Sequence, residues 1–412
     1  MKSDSLSRQN GMVLVVSLLL LSVMLVIAFS AIMMTSTDLK MTGHFRSNKK
    51  AFYFAEAGLE EAKARMRVGA ANPIADNHPT QTSWAAYIGS ENKAQQKGYN
   101  SGNAMHIRVS SDQADMGYVV RIVHQTDGAG GILYWGDANK NGVNERTTSS
   151  GPAMRNIYLV SSEGTYAGSS RVIEAEIAKL PPVNVPAALS VNASTTVKGS
   201  STHIIGTDAC GGNDLPGISS SNSPGSIILS GDPNIEGVGV PAIAYNGTVI
   251  DVQNLINTYK KTANFTYTVS NATHTASTTP GPGDNWGTPT AGATSQSPSS
   301  CSVRNIVYYN TGGTGIQLSG GVSGCGMLLV EGDLKLSGNF SWYGPIITTG
   351  SLSILGGGNK NITGGILSGG STTNAEDAIG GNTNIVYCSQ AMNSQTDSMS
   401  IQILSWMDKS SQ

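Results

Sequence analysis

Between Met12 and Met34 the chain runs for 23 residues without a charge, interrupted only by three serines. At about 1.5 Å per helical residue, such a run crosses a hydrocarbon core of about 30 Å. The chain is therefore expected to be membrane-inserted at some stage. A secretory signal has a shorter apolar region, about 7 to 15 residues, closed by a small-x-small site, and Ala28-Phe-Ser30 matches such a site only faintly. From Thr37 to Arg67 there is no proline, and Leu39, Phe45, Phe52, Ala55, Leu59, Ala62 and Met66 recur at three, four or near multiples of them. That spacing is one stripe of a helix. Glu60 can pair with Lys63 and Glu61 with Arg65 on the exposed side, each pair contributing a few tenths of a kcal/mol. The pattern stops at Val68-Gly69. Residues 12–67 thus read as one helix of 56 residues, about 84 Å long. Its first half, 12–34, is lipid-soluble, and its second half has one apolar face.

Beyond the helix the period shortens to that of strands. Runs at Met105–Ser110, Tyr118–His124, Ile132–Trp135, Ile157–Ser161 and Ser170–Ile177 alternate as in an antiparallel sheet packed on the exposed half of the helix, giving a β-rich head over 70–179. Leu180-Pro-Pro-Val-Asn-Val-Pro186 reads as a stiff linker, because its prolines cannot continue a central strand. In 187–395 apolar doublets recur at Ile204-Ile205 and Ile227-Ile228. They resume at Ile306-Val307, Leu328-Leu329, Ile346-Ile347, Ile366-Leu367 and Ile385-Val386, with steps of 22, 18, 20 and 19 residues. Glycine and asparagine corners such as Gly356-Gly-Gly-Asn359 and Gly369-Gly370 fall between them. Even spacing with permissive corners suits a parallel β-helix; the wandering period leaves a β-sandwich open. Val249, Val252, Leu255, Ile256 and Tyr259 predict a short amphipathic helix within Tyr245–Tyr267. Residues 268–300, rich in Ser, Thr, Pro, Gly and Asn, predict a flexible exposed insert, and 396–412 a C-terminal tail. The expected fold class is α+β, a long helix, an antiparallel head and a further β-rich region.

Composition agrees with an exported, mainly β chain: 13% of residues are charged and 50 are glycine. A net charge of −2 leaves no electrostatic footprint for nucleic acid. Cys210, Cys301, Cys325 and Cys388 lie far apart with no C-x-x-C. In an oxidising compartment their even number suggests two disulfides, with three possible pairings, against a reading as buried free thiols. Lys2 and Arg8 precede the apolar run, but Lys40, Arg46, Lys49 and Lys50 follow it, so positive charge alone does not orient the helix.

The short charged leader ending in Gly11, the apolar helix start and Phe52-Tyr-Phe-Ala-Glu-Ala-Gly-Leu-Glu-Glu-Ala62 together resemble the N-terminus of type IV pilin-like proteins of the PilX minor-pilin group, with a class III, prepilin-type segment. Ile403-Leu-Ser-Trp-Met407 resembles the ends of such chains; most of the middle resembles nothing so specific. The resemblance implies a leader of residues 1–11, cut by a prepilin peptidase after Gly11, and methylation of the new amino terminus on Met12. It also implies passage through the bacterial inner membrane and assembly with other pilins and minor pilins into a cell-surface fibre. At the fifth position of the mature chain most such proteins have a glutamate, and this one has Val16. An isolated carboxylate in hydrocarbon is costly unless paired, so that glutamate is best understood as the partner of a neighbour's terminal ammonium. Its absence fits a plain anchor, or a subunit at the fibre tip with no neighbour ahead, and tip pseudopilins of type II secretion systems share the feature.

One ion site is suggested by residue type. Asp137-Ala-Asn139-Lys-Asn141-Gly142-Val-Asn144-Glu145 starts like a calcium loop, with oxygens at alternate positions and a glycine at the sharp turn. The twelfth position is Thr148 instead of the usual glutamate, so Glu145 would substitute from the ninth place and Val143 would offer its carbonyl. The same residues also make an ordinary hairpin turn. Enzymatic patterns are missing: His44, His78, His106, His124, His203 and His274 are scattered singly, Ser47-Asn-Lys-Lys50 fits S-x-x-K by chance on the helix, and carboxylates are sparse in the second region. Three readings follow: a non-enzymatic minor pilin at or near the fibre tip that promotes assembly and adhesion, a tip pseudopilin of a type II secretion system, or a membrane-anchored surface adhesin.

Overall fold

The computed structural model describes residues 7–67, 69–110, 117–269, 284–290, 300–370, 377–393, 396 and 401–409. Helix α1 (Ser7–Arg65) is continuous, at about 1.5 Å per residue some 88 Å long. The face that meets the head is Ala51, Ala55, Leu59, Ala62 and Met66, all buried. Leu39 and Phe45, expected on that stripe, are exposed. They lie N-terminal to the part of the helix that the sheet covers, so the docking face begins near Ala51. Small residues dominate it because the backbones nearly touch. A Cβ on Gly164 of the sheet would run into the Ala51 carbonyl and the Ala55 amide, and one on Gly58 would run into Ser162.

The head strands are β1 (Ala85–Ile88), β2 (His106–Val109), β3 (Tyr118–His124), β4 (Tyr134–Gly136), β5 (Glu145–Thr147), β6 (Arg155–Tyr166) and β7 (Ser169–Lys179), with α2 (Glu91–Gln96) between the first two. Pairing runs β2-β1-β3-β6-β7, antiparallel except for the parallel pair β1 and β2, and the β4–β5 hairpin adds to the start of β6. Ala86, Ile88, Val120, Ile122, Val160, Ile173 and Ile177 bury one face of this sheet against α1.

The second region opens with β8 (Leu189–Val191), β9 (Thr195–Lys198) and β10 (Thr202–Ile205), followed by β11 (Ile218–Ser220), β12 (Ile227–Ser230), β13 (Asn234–Glu236) and β14 (Ile243–Ala244). Helix α3 (Val252–Tyr259) then returns the chain to the opposite end of the sheet. There β15 (Phe265–Thr268), β16 (Asn305–Leu318), β17 (Val322–Leu336), β18 (Phe340–Thr348), β19 (Leu352–Ile354), β20 (Asn359–Ser368), β21 (Asp377–Ile379) and β22 (Asn382–Tyr387) build back toward the first series, and α4 (Ser389–Asn393) follows. All pairing here is parallel, and the series meet where β20, β21 and β22 pair with β8, β9 and β10. The result is a curled parallel sheet in which Phe265, Val307, Leu328, Ile346, Ile366, Leu189, Ile218 and Ile243 are successive register partners. At about 4.8 Å per strand, that apolar row spans roughly 34 Å. An antiparallel sandwich is not what this pairing describes. A neighbouring rung holds Trp342 over Gly324, where any Cβ would enter the indole.

Three sequence expectations are corrected. Residues 180–186, expected as a stiff linker, are packed and not a spacer: Leu180, Val183 and Val185 are buried with Ile250, Val252, Leu255, Ile256 and Tyr259, because α3 needs an apolar cover on its outer side. Most of the expected insert, 270–283 and 291–299, lies outside the described residues, but Trp286 is buried against Tyr309 and Trp342 at 6.1 and 6.3 Å. Residues 396–412 are not simply a tail. They contain β23 (Ile401–Asp408), which pairs antiparallel with β7, Ile401 opposite Lys179, and completes the head sheet while Trp406 meets Phe52 edge-on at 6.3 Å. The second region is thus an insertion between two adjacent head strands.

Candidate assembly surface and head junction

Among the described residues, the apolar half of α1 touches nothing else in the chain: Met12, Val16, Phe29 and Met34 are exposed, Val16 at 54%, as are Leu39 and Phe45 beyond it. The hydroxyls of Ser17, Ser22, Ser30, Thr35 and Thr37 bond to carbonyls three or four residues back in the same helix, at 2.8–2.9 Å. Between Met12 and Met34 each of the three serine hydroxyls is thus satisfied within the helix and none is left for hydrocarbon to strand. The helix is long and apolar enough to cross a membrane. Residues 1–6 of the expected leader lie outside the described residues. Gly11 and Met12 lie inside the unbroken helix, which starts at Ser7. Beyond the apolar run, Lys50 donates to the Tyr166 hydroxyl at 2.9 Å. The Glu61–Arg65 pair, expected in solvent, is largely covered: Arg65 also reaches the Asn72 carbonyl at 3.2 Å, and Tyr118 donates to Glu61. Burial first, and then that carboxylate, push the Tyr118 hydroxyl far above its usual value.

The Asp137–Glu145 loop joins the head to the second region. Asp137 is buried, and its two carboxylate oxygens accept the backbone N–H groups of Asn141 and Gly142 at 2.9 and 2.8 Å. Burial raises its carboxyl above the ordinary range against these bonds. Asn139 accepts from the Asn141 N–H at 3.1 Å and donates to Glu145 at 3.2 Å, and Asn141 accepts from the Val143 N–H at 2.8 Å. Gly142 takes φ 86° and faces the Asp251 backbone so closely that no side chain fits. The loop's carbonyls point outward to partners: Asp137 to Asn184 at 2.8 Å, Asn141 to the Asp251 N–H at 2.7 Å, and Gly142 to Asn254 at 2.9 Å. The candidate ligands Asp137, Asn139, Asn141, Val143 and Glu145 therefore share one loop whose donor types suit calcium. Their loop also carries the junction. Asp251 caps α3, its carboxylate accepting the Asn254 N–H at 2.9 Å. Sequence reasoning missed Asp251, Asn254 and Asn184; the Asp before the apolar run of α3 was a readable N-cap signal.

Cys210 is bonded to Cys388, and Cys301 to Cys325. The first bond ties the loop after β10 to the end of β22, across the seam where the two series of strands meet. Asp208 lies with Cys210 and Cys388 at metal-ligand separations, but both sulfurs are spent in the disulfide.

An exposed apolar helix whose second half seats a mainly antiparallel head is a pilin-like arrangement. Residues 10–60 match the PilX N-terminal family, so the N-terminal segment is of the PilX type. Among solved structures, the competence-associated pilin ComZ from Thermus thermophilus is similar at 12% identity, over 88% of this chain and 97% of that one, with a TM-score of 0.20, too low to argue from. No curated protein sequence matches the chain.

Proposed function

We propose that the chain is a minor pilin of a type IV pilus, assembled through its N-terminal helix at or near the fibre tip, where it promotes assembly and presents the second region for adhesion. The observation that carries this reading is the fully exposed apolar half of α1. Such a surface demands lipid before assembly and neighbouring helices afterwards. In this reading a prepilin peptidase cuts after Gly11, Met12 is methylated, and the subunit leaves the inner membrane for the extracellular fibre. Val16 in place of a carboxylate supports a position with no subunit ahead, as does the size of an insertion that would crowd a shaft. A tip pseudopilin of a type II secretion system and a membrane-anchored adhesin share the same anchor; pilus counts beside a secretion assay in a deletion strain separate them. The decisive measurement is N-terminal mass spectrometry of protein from sheared fibres. Methylated Met12 that disappears in a Gly11→Val strain is expected; an intact Met1 confined to membranes would sink assembly.

The Asp137–Glu145 loop is proposed to take calcium, favoured by the Glu145 carboxylate folding back on Asn139. Bound there, the ion supplies charge that holds the loop's oxygens together and so stiffens the junction. Thermal unfolding with calcium or chelator should differ by several degrees and converge in Glu145→Gln; equal curves for the native chain would remove the site.

A further inference from the structure

Between the head and the second region lies a cleft of about 440 Å³, within the range of small-ligand sites, about 300–1,000 Å³. The head contributes Lys140 and the turn Ser149–Ser150, and the second region contributes Asn213, Ser389 and Tyr387. Lys140 is partly buried, and among the described residues no carboxylate forms an ion pair with its ammonium. Asp137, the nearest acid in its loop, has both oxygens engaged by backbone N–H groups. Arg155, next in the chain to the lining residue Met154, is not part of the lining and is committed to the carbonyls of Pro152, Met154 and Asn393 at 3.0, 3.2 and 3.4 Å. On the opposite side Asp208 sits behind Gly212, with one oxygen accepting from the Cys210 and Ser389 N–H groups and the other buried without a partner among the described residues. The cleft therefore pairs one cation with hydroxyl and amide groups, over a floor of Val183, Val185 and Met392. A fully anionic ligand would meet Asp208, and a neutral one would leave Lys140 unpaired. A ring with one carboxylate, several hydroxyls and an apolar C–H face satisfies every wall.

We propose that this cleft binds a carboxylated sugar, one unit of an acidic surface glycan. The proposal deepens the adhesion reading and rests on it. Full-length protein in detergent would be titrated with glucuronic acid and N-acetylneuraminic acid, and separately with glucose and N-acetylglucosamine. The acids should bind and the neutral sugars should not. Lys140→Asn tolerates the positive φ of 60° at that position, and Asn213→Asp adds a like charge at an exposed site. Each should weaken binding at least about tenfold while the melting temperature holds. Equal binding of neutral sugars, binding unchanged in both variants, no binding at all, or preference for short peptides with free carboxylates would overturn the proposal. Fibre incorporation, read separately from the N-terminus of fibre protein, tests the pilin reading whichever way the titration falls.

Discussion

The head and the second region solve the same problem, pairing strands, by opposite means. In the head, partners are mostly neighbours in the chain: β6 turns directly into β7 through Ala167-Gly168, both with positive φ, the backbone of a tight hairpin turn. Charges then dress the sheet, Arg146 with Glu176, Lys97 with Glu163, Lys409 with Glu174. In the second region the seam pairs β20–β22 with strands laid down far earlier, and the two sides have no local turn to set their register. What sets it is the row of stacked aliphatic side chains, side-chain bonds across the seam such as Thr202 donating to the Gly381 carbonyl at 3.1 Å, and the Cys210–Cys388 disulfide. Closure entropy grows with the length of chain closed, and the Cys210–Cys388 bond staples strands laid down 178 residues apart, whereas Cys301–Cys325 closes only 24.

The comparison breaks most visibly at the seam. Removing the Cys210–Cys388 bond, which closes 178 residues, by a double change to serine should cost up to about 5 kcal/mol. Hydrogen exchange should show lost protection in the second region while the β3–β6–β7 amides stay protected; equal loss in both would mean that they unfold as one unit. Trp342→Ala removes a fully buried indole and should cost about 3–5 kcal/mol, again read as early exchange of β17, β18 and β20. Gly164→Ala pushes a methyl into the helix backbone and should cost about 1–3 kcal/mol, lowering head protection while leaving the second region unchanged.

The smallest test uses acid. Burial works to raise the Asp76 carboxyl, but hydrogen bonds from His124 and Tyr158, the charge of His124 and the His78 N–H together hold it below its usual value. Its contribution is therefore complete above the ordinary carboxylate value, near pH 4, and is lost as pH falls through the lower folded value. Asp76→Asn should cost the head about 1–2 kcal/mol at neutral pH and flatten the acid limb of its unfolding curve, without moving that of the second region.

Much of this was legible in residue order. Tyr118–His124 falls where alternation places it, α3 lies within its predicted window, and the two series of apolar doublets are the two halves of the parallel sheet. The seam was not legible, because no local period reports that Ile366 pairs with Leu189 across the returning chain. Strand β1 was missed since all four of its residues are buried, leaving no alternation to read. The apolar prolyl segment 180–186 looked like a spacer because its cover, α3, lies seventy residues on. At the candidate loop the residue types suggested an ion, whereas the outward carbonyls that hold α3 and Asn184 are backbone groups, invisible in side-chain spelling.

The second region leaves the head at Lys179 and returns at Ile401, opposite each other in one strand pair. Anything tugging on it therefore draws β7 and β23 lengthwise together, against β6 and α1, loading many hydrogen bonds at once instead of peeling them one by one. A towline made fast at two adjacent cleats, with the mast beside it carrying its own strain, spreads its load in the same way.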